Sequence, residues 1–387
     1  MAVLGDKAAP EALGVYIHWP FCASKCPYCD FNSHVTEHID HARWRQALLA
    51  ELDYFAIETK RRAVSSVFFG GGTPSLMEPE TAAALIAAVK GHWATPGDLE
   101  VTLEANPSTA EACLFGAFRN AGVTRLSLGV QSFQDESLDL LGRGHSADEA
   151  KNAINLAAKT FPWFSFDLIY GLPDQTPQQW RNELTAALDF AGDHMSAYQL
   201  TIEPGTIFFR DGVPAAGEET GTALYEITQT ILEGAGLGAY EISNHARPGQ
   251  ECRHNLDIWR GGDYAGIGPG AHGRLTGPSG TDAVYQIHAP DRWLDKVESE
   301  GVGTAKRSTL GAAERAEEIL ITGLRLSDGI ARDKLAELES VINEGGLKRL
   351  IDGGYIKKNA AGLRATASGL LCLNEVLRQL LADSQEQ

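Results

Sequence analysis

Positive charge is scarce in this 387-residue chain. Thirty-three Lys and Arg stand against 51 Asp and Glu, a formal net charge of −18. Such a surface repels phosphate backbones and anionic lipid, so nonspecific nucleic-acid or membrane binding is not expected. A local basic pocket for a carboxylate-bearing ligand is still allowed. Long apolar runs are missing too; no stretch approaches the roughly 18 consecutive apolar residues that span a bilayer. The opening MAVLGDKAAPEALG carries Asp6 and Glu11 and does not read as a secretory leader, so a cytoplasmic location is expected. Cysteine is sparse: six residues are too few for a disulfide scaffold at this length. Neither solenoid-length repeats nor low-complexity segments occur.

What is there suits a soluble globular protein: 43% hydrophobic and 22% charged residues, enough apolar material for a sizeable core. At about 100–200 residues per domain, two or three domains are expected. Short β-rich runs alternate with helix-period segments. The strand candidates are Gly14–His18, Ser65–Phe69, Leu99–Glu104, Arg125–Leu128, Ser165–Ile169 and Met195–Thr201. Between them, Trp44, Leu48, Leu52 and Phe55 share one helical face. Thr176, Pro177 and Gln179 read as a capping box with a first-turn proline, leading into Trp180, Leu184 and Leu188. Strand–helix alternation implies parallel strands with helices outside. Polar or glycine residues recur at the strand ends, where a parallel α/β barrel builds its active site. The expected class is therefore α/β, a full or partial (β/α) barrel over residues 1–245.

From 246 to 308 the pattern loses its period and reads as an irregular connecting segment. From 309 to 387, Glu314–Thr322, Ala331–Leu338 and Val341–Asp352 read as short helices. The apolar pair Tyr355 and Ile356, a turn-strand at Gly362–Thr366 and a last helix over Ser368–Leu381 follow. Three helices and a hairpin resemble a winged helix. In so acidic a chain, a structural lid or docking domain is expected rather than a DNA reader.

Three of the cysteines, Cys22, Cys26 and Cys29, fall within eight residues as C-x3-C-x2-C. Thiolates are natural ligands of zinc and of iron–sulfur clusters. Three on one tight loop leave one iron of a [4Fe–4S] cluster open for a small chelating molecule. The competing reading is a structural zinc site with His18, Asp30 or His34 as fourth ligand, although zinc ligands usually come as two separated pairs. Cys113, near Phe115 and Phe118, and Cys372 read as buried structural residues.

This spacing, with Tyr28 before the last cysteine, resembles the radical S-adenosylmethionine (SAM) superfamily. Residues far from the loop strengthen the resemblance: Tyr16-Ile-His-Trp-Pro-Phe-Cys22, Phe69-Gly70-Gly71-Gly72-Thr73-Pro74, Glu104-Ala-Asn106-Pro107 and Ser127-Leu-Gly-Val-Gln131. Leu141-Gly-Arg143-Gly-His145 and Phe166-Asp167-Leu-Ile-Tyr-Gly-Leu-Pro173 follow. Together they resemble the oxygen-independent coproporphyrinogen III oxidase-like family over nearly the whole chain. The resemblance implies a partial radical-SAM barrel with a small C-terminal domain. It implies a [4Fe–4S] cluster on Cys22, Cys26 and Cys29. It also implies SAM contacts at Tyr16, Gly71, Gly72, Thr73, Glu104, Gln131, Arg143 and Asp167. Glycines let backbone approach a ligand closely; the polar side chains suit an amine, ribose hydroxyls and a carboxylate. Read alone, Gly70–Gly72 is equally a tight turn, and Arg143 equally a solvated loop residue.

Two features separate branches of that family. The oxidase branch resembles C-x3-C-x2-C-x-C, and Phe31 stands here at the further cysteine's place. It also carries a longer N-terminal extension, against about a dozen residues before the first strand here. Arg253-His254-Asn255-Leu-Asp-Ile258-Trp259 resembles the His-Asn-x-x-Tyr-Trp signature of a heme-chaperone branch, with Ile258 in place of the tyrosine. Imidazole is a common axial ligand of heme iron and Trp packs on a macrocycle. His254 is thus the candidate heme ligand, with Cys252 and His272 as alternatives and a loop hydrogen bond as the structural reading. The implied partners are heme, recipient hemoproteins and, if SAM is cleaved, an electron donor; a homodimer is left open.

Overall fold

The computed structural model describes residues 12–381. Most of the opening MAVLGDKAAPEALG, read from the sequence as no secretory leader, lies outside them. The six expected strands form: β1 (Ala12–Trp19), β2 (Ala63–Gly71), β3 (Glu100–Ala105), β4 (Arg125–Gln131), β5 (Trp163–Tyr170) and β6 (His194–Gln199). They lie side by side in chain order, each parallel to the next. The reason is visible along β1. Leu13, Val15, Ile17 and Trp19 are fully buried against the outer helices, while Gly14, Tyr16 and His18 alternate with them toward the concave side. Helix α1 (His41–Thr59) buries Trp44, Leu48, Leu52 and Phe55 on one face, as their spacing requires. Helix α2 (Pro177–Ala187) opens with the capping box: Thr176 accepts from the Gln179 amide, and the Gln179 side chain accepts from the Thr176 amide at 2.8 Å.

The segment expected to be irregular instead extends the same sheet. Asn244–Ala246 (β7) pairs antiparallel with β6. Tyr264–Ile267 (β8) lies parallel to β1 on the side away from β2. An antiparallel meander follows, β9 (His272–Gly277), β10 (Gly280–Gln286) and β11 (Thr304–Thr309). The twelve-stranded sheet does not pair its two edge strands, so the barrel is partial. Glycine hid this period. A Cβ at Gly266 would sit 1.9 Å from the His272 carbonyl oxygen, so the close crossing of β8 and β9 admits no side chain. Trp293, Leu294 and Val297 of helix Pro290–Glu300 join the main core, which therefore runs to the end of this segment.

Helix α3 (Arg253–Trp259) packs against β1 and β2 at the lower end of the bore. The Glu100 carboxylate, at the start of β3, accepts from the Arg253 and His254 amides at 3.1 Å and holds this helix's first turn.

Residues 312–381 have a second core around Leu320, Leu324, Leu338, Leu350, Leu363, Val376 and Leu380. The strands Ile330–Ala331, Gly362–Ala365 and Ile356–Lys358 form a three-stranded antiparallel sheet with Gly362–Ala365 central, beside helices Ala312–Gly323 and Glu344–Asp352. That is the winged-helix-like arrangement expected. Two details differ: 331–338 begins as strand and 3-10 turn, and the last helix breaks at Cys372 into Ala367–Leu371 and Leu373–Leu381. Arg274 of β9 reaches Glu318 at 2.7 Å and fastens the two units. Cys113, expected on a buried face, is exposed, because the buried side of that turn is taken by Phe115 and Phe118. No described helix is long and apolar enough to cross a membrane.

Candidate functional site

The C-terminal ends of β1 to β5 converge on the loop that carries the three cysteines. Residues 20–35 leave β1 and form a small parallel pair, Phe21–Cys22 with His34–Val35. The Cys29 amide donates to the Cys26 carbonyl at 3.1 Å, which tightens the turn between them. Two of the three sulfurs have local support. The Thr73 hydroxyl donates to Cys22 Sγ at 3.3 Å, and Arg143 Nη1 donates to Cys26 Sγ at 3.4 Å. Burial pushes the Cys22 and Cys29 thiols up, and negative charge on neighbouring thiols adds to both. Among the described residues, no three or more His, Cys, Asp and Glu side chains converge closely enough to hold a single metal ion. A zinc ion with bonds of about 2.3 Å would draw its sulfurs to within about 4 Å of one another. The proposed fourth zinc ligands are also engaged or turned away. His18 is bonded at both nitrogens, to the Tyr16 hydroxyl at 3.1 Å and the Asn32 carbonyl at 2.9 Å. His34 Nε2 bonds Asn32 Oδ1 at 3.0 Å, and Asp30 is exposed. Three half-buried thiols, held apart with donors on two sulfurs, fit a polynuclear cluster.

The glycine run at the end of β2 lies directly behind this loop. Gly71 has φ of +113°, and a Cβ there would enter the His18 ring at 2.6–2.8 Å. A Cβ on Gly72 would meet the Phe21 carbonyl oxygen at 2.6 Å, one residue before Cys22. The Gly72 and Thr73 amides instead bond the Trp19 and Phe21 carbonyls at 2.7 and 2.8 Å. These glycines are thus required for the loop's own approach to the sheet as well as for any ligand's.

The polar residues read from the sequence meet on this face. Glu104 accepts from the Gly71 amide at 3.3 Å. Burial, then the charge of Asp167, push its carboxyl up to about 8. Burial pushes Asp167 up to about 6, against hydrogen bonds from Ser196 and Ser127, and its Oδ1 has no partner. Two buried carboxyls held above their ordinary proton affinity, Glu104 in part by the charge of Asp167, suit a ligand bearing positive charge. Burial also raises the Tyr16 phenol, which stays protonated as a donor or acceptor. Gln131 has φ of +72°, a left-handed conformation at the last residue of β4, where the register against β5 shifts and Gln131 pairs with Leu168. Arg143 is no solvated loop residue: it donates to the Gly129 carbonyl at 2.7 Å and to Asn106 Oδ1, besides Cys26. Sequence reasoning quoted Asn106 only as part of a motif. It links Arg143 to Thr73, donating to the Thr73 hydroxyl at 3.3 Å, and so connects the supports of two cysteines.

His254 lies elsewhere, at the floor of the bore. Its Nδ1 is 2.9 Å from the Ser66 hydroxyl, and its ring stacks on Phe68 with centroids 5.1 Å apart. Burial alone pushes it down to about 3, so it is neutral at pH 7. Nε2 has no partner and faces a cavity of about 260 Å³ that Tyr16, Thr102, Glu104, Arg125 and Asp167 also line. That is below the roughly 300–1,000 Å³ of small-molecule pockets. A four-pyrrole macrocycle does not enter it.

The radical SAM superfamily profile matches residues 16–186, and that of the HemN C-terminal domain matches residues 310–372. The mitochondrial radical S-adenosyl methionine domain-containing protein 1 of Mus musculus is 39% identical over 99% of this chain and 91% of its own. The heme chaperone HemW of Haemophilus influenzae is 37% identical over 96% of this chain and 98% of its own, and that of Escherichia coli is similar to the same extent. The solved coproporphyrinogen III oxidase HemN of Escherichia coli shares the fold, with a TM-score of 0.81 over 96% of this chain and 90% of that one, at 21% identity. With identity at this level along nearly all of both sequences, the chain belongs to the HemW family of radical SAM proteins, within the oxygen-independent coproporphyrinogen III oxidase-like group.

Proposed function

We propose that this chain is a heme chaperone. It holds a [4Fe–4S] cluster on Cys22, Cys26 and Cys29, binds SAM over the strand ends, takes up heme and passes it to recipient hemoproteins. The single observation that carries the choice of branch is Phe31. Its side chain is 61% exposed two residues past Cys29, where the oxidase branch resembles a further cysteine. The full-length likeness to proteins named heme chaperones supports the same reading.

In this reading the cluster supplies an open iron for the methionyl group of SAM and an electron when one is delivered. The chain's own residues do the rest. Thr73 and Arg143 stabilise the Cys22 and Cys26 thiolates by donating to their sulfurs. Glu104 and Asp167 neutralise the ligand's cationic end, and Tyr16 and Gln131 meet its hydroxyls and carboxylate. Gly71 and Gly72 keep the backbone close to it.

The test is anaerobic reconstitution of the cluster, followed by two assays. With SAM, an electron donor and coproporphyrinogen III, chromatography is expected to return unchanged substrate. With heme under reducing conditions, titration is expected to give a saturable complex. Doubly decarboxylated product without heme binding would make the chain an oxidase and end the chaperone reading.

A further inference from the structure

Four histidines gather beside the cysteine loop, and Asn32 ties three of them together. His18 Nε2 bonds the Asn32 carbonyl at 2.9 Å and His34 Nε2 its side-chain oxygen at 3.0 Å. Asn32 Nδ2 in turn donates to the Pro269 and His288 carbonyls at 2.9 and 3.0 Å. The cluster loop is thereby fastened to the ends of β8 and β10. A Cβ on Gly270 would sit 2.3 Å from Asn32 Nδ2, so this closeness is built into the turn.

His18 and His34 spend nitrogens on this scaffold; His272 and His288 do not. Both are exposed, with ring centroids 6.4 Å apart and planes at 79°. That separation is close to the about 6 Å that two metal–nitrogen bonds of about 2 Å plus two ring radii of about 1 Å span. Aromatic and cationic groups adjoin them. The Tyr285 ring is 4.7 Å from that of His272, and Phe31 stands exposed next to Asn32. The Lys306 ammonium lies 5.9 Å from the Tyr285 ring, exposed and in no ion pair among the described residues. Arg274, by contrast, is already committed to Glu318.

Resting on the chaperone reading, we infer that heme docks at this rim, with His272 and His288 as its iron ligands. Phe31 and Tyr285 pack against the macrocycle, and Lys306 meets a propionate carboxylate. Each iron–nitrogen bond displaces a water from ferric iron; no electron moves. This places the cargo outside the barrel, beside the cluster, and leaves His254 in the floor.

The test titrates ferric heme into the full-length, cluster-loaded protein, read by Soret absorbance and by electron paramagnetic resonance for spin state. The wild type is expected to give a low-spin, two-imidazole signal. His272→Ala and His288→Ala singly are expected to convert it to high spin, and the double variant to weaken binding at least tenfold. His92→Ala, an exposed histidine paired with Asp53 on the outer helix His41–Thr59, and His254→Ala are expected to keep the wild-type signal. Equal cluster iron and far-UV circular dichroism exclude collapse of the loop. A double variant that binds like wild type, or a signal lost in His254→Ala alone, overturns this site while the chaperone reading stands. A wild type that binds no heme removes both.

Discussion

Replacing Glu104 by Gln examines how the strand ends receive a cation. Burial and the Asp167 charge hold the Glu104 proton up to about 8, well above the ordinary glutamate value. At pH 7 the empty site therefore keeps that proton in all but about one molecule in eleven. An ammonium group needs the ionised form, so binding must expel the proton at a cost of about 1.4 kcal/mol at pH 7 and about 0.4 kcal/mol at pH 8. Through Glu104 alone, the dissociation constant for SAM should accordingly fall about fivefold between pH 7 and 8, and less than about twofold from 8 to 9. The α-ammonium of SAM titrates in the same range and is lost as pH rises, which changes affinity in the opposite direction. Glu104→Gln retains only that ligand contribution, so the assay is the difference between the two slopes. Anaerobic calorimetry at pH 7, 8 and 9, in buffers of unlike ionisation heat, also counts protons. Wild type should release about one proton more than the variant at pH 7. Equal slopes and equal proton release would refute the placement of Glu104 against the ligand's charge.

Other perturbations test the supports. Gly72→Ala places a methyl 2.6 Å from the Phe21 carbonyl oxygen and pushes the cysteine loop outward. Iron bound per chain after reconstitution should drop with far-UV circular dichroism unchanged, and full iron loading would contradict this. Thr73→Val removes the hydroxyl on Cys22 Sγ, so the cluster's reduction potential should become more negative; an unchanged potential in a redox titration would show that this hydrogen bond does not act on it. Glu51→Ala strands three buried donors, the Gly268 and Gly303 amides at 2.7 Å and Trp293 Nε1 at 3.1 Å. At about 1–3 kcal/mol per unsatisfied donor, urea unfolding should show a loss of at least about 3 kcal/mol. A loss under about 1 kcal/mol would mean that the core closes over the gap.

The alternation of strands and helices from residue 12 to 199 was legible because each strand buries one face under helices and each helix repeats its apolar residues every three or four positions. The capping box at Thr176 was legible because it lies within four consecutive residues. The stretch 246–308 was not. Its strands are short, and glycines such as Gly266 sit where neighbouring backbones nearly touch, so no side-chain alternation marks them. Cys113 misled for a related reason: sharing a segment with Phe115 and Phe118 does not place a residue on their side of the turn.

The site divides the same way. Thiolate chemistry is local, so three cysteines within eight residues marked the candidate cluster loop from sequence alone, and the motifs at the strand ends marked the polar residues that the fold gathers beside it. Position in the bore was decided only by tertiary packing. His254 sits on a helix whose first turn is held by Glu100, some 150 residues earlier in the chain, and that contact sends the imidazole inward onto Ser66. His272 and His288 meet at the rim because β8, β9 and β10 fold back beside β1 and Asn32 bonds across to the Pro269 and His288 carbonyls. A motif states which groups are present. Which way each one points depends on contacts between segments far apart in the chain, and these form only when the sheet closes around its core.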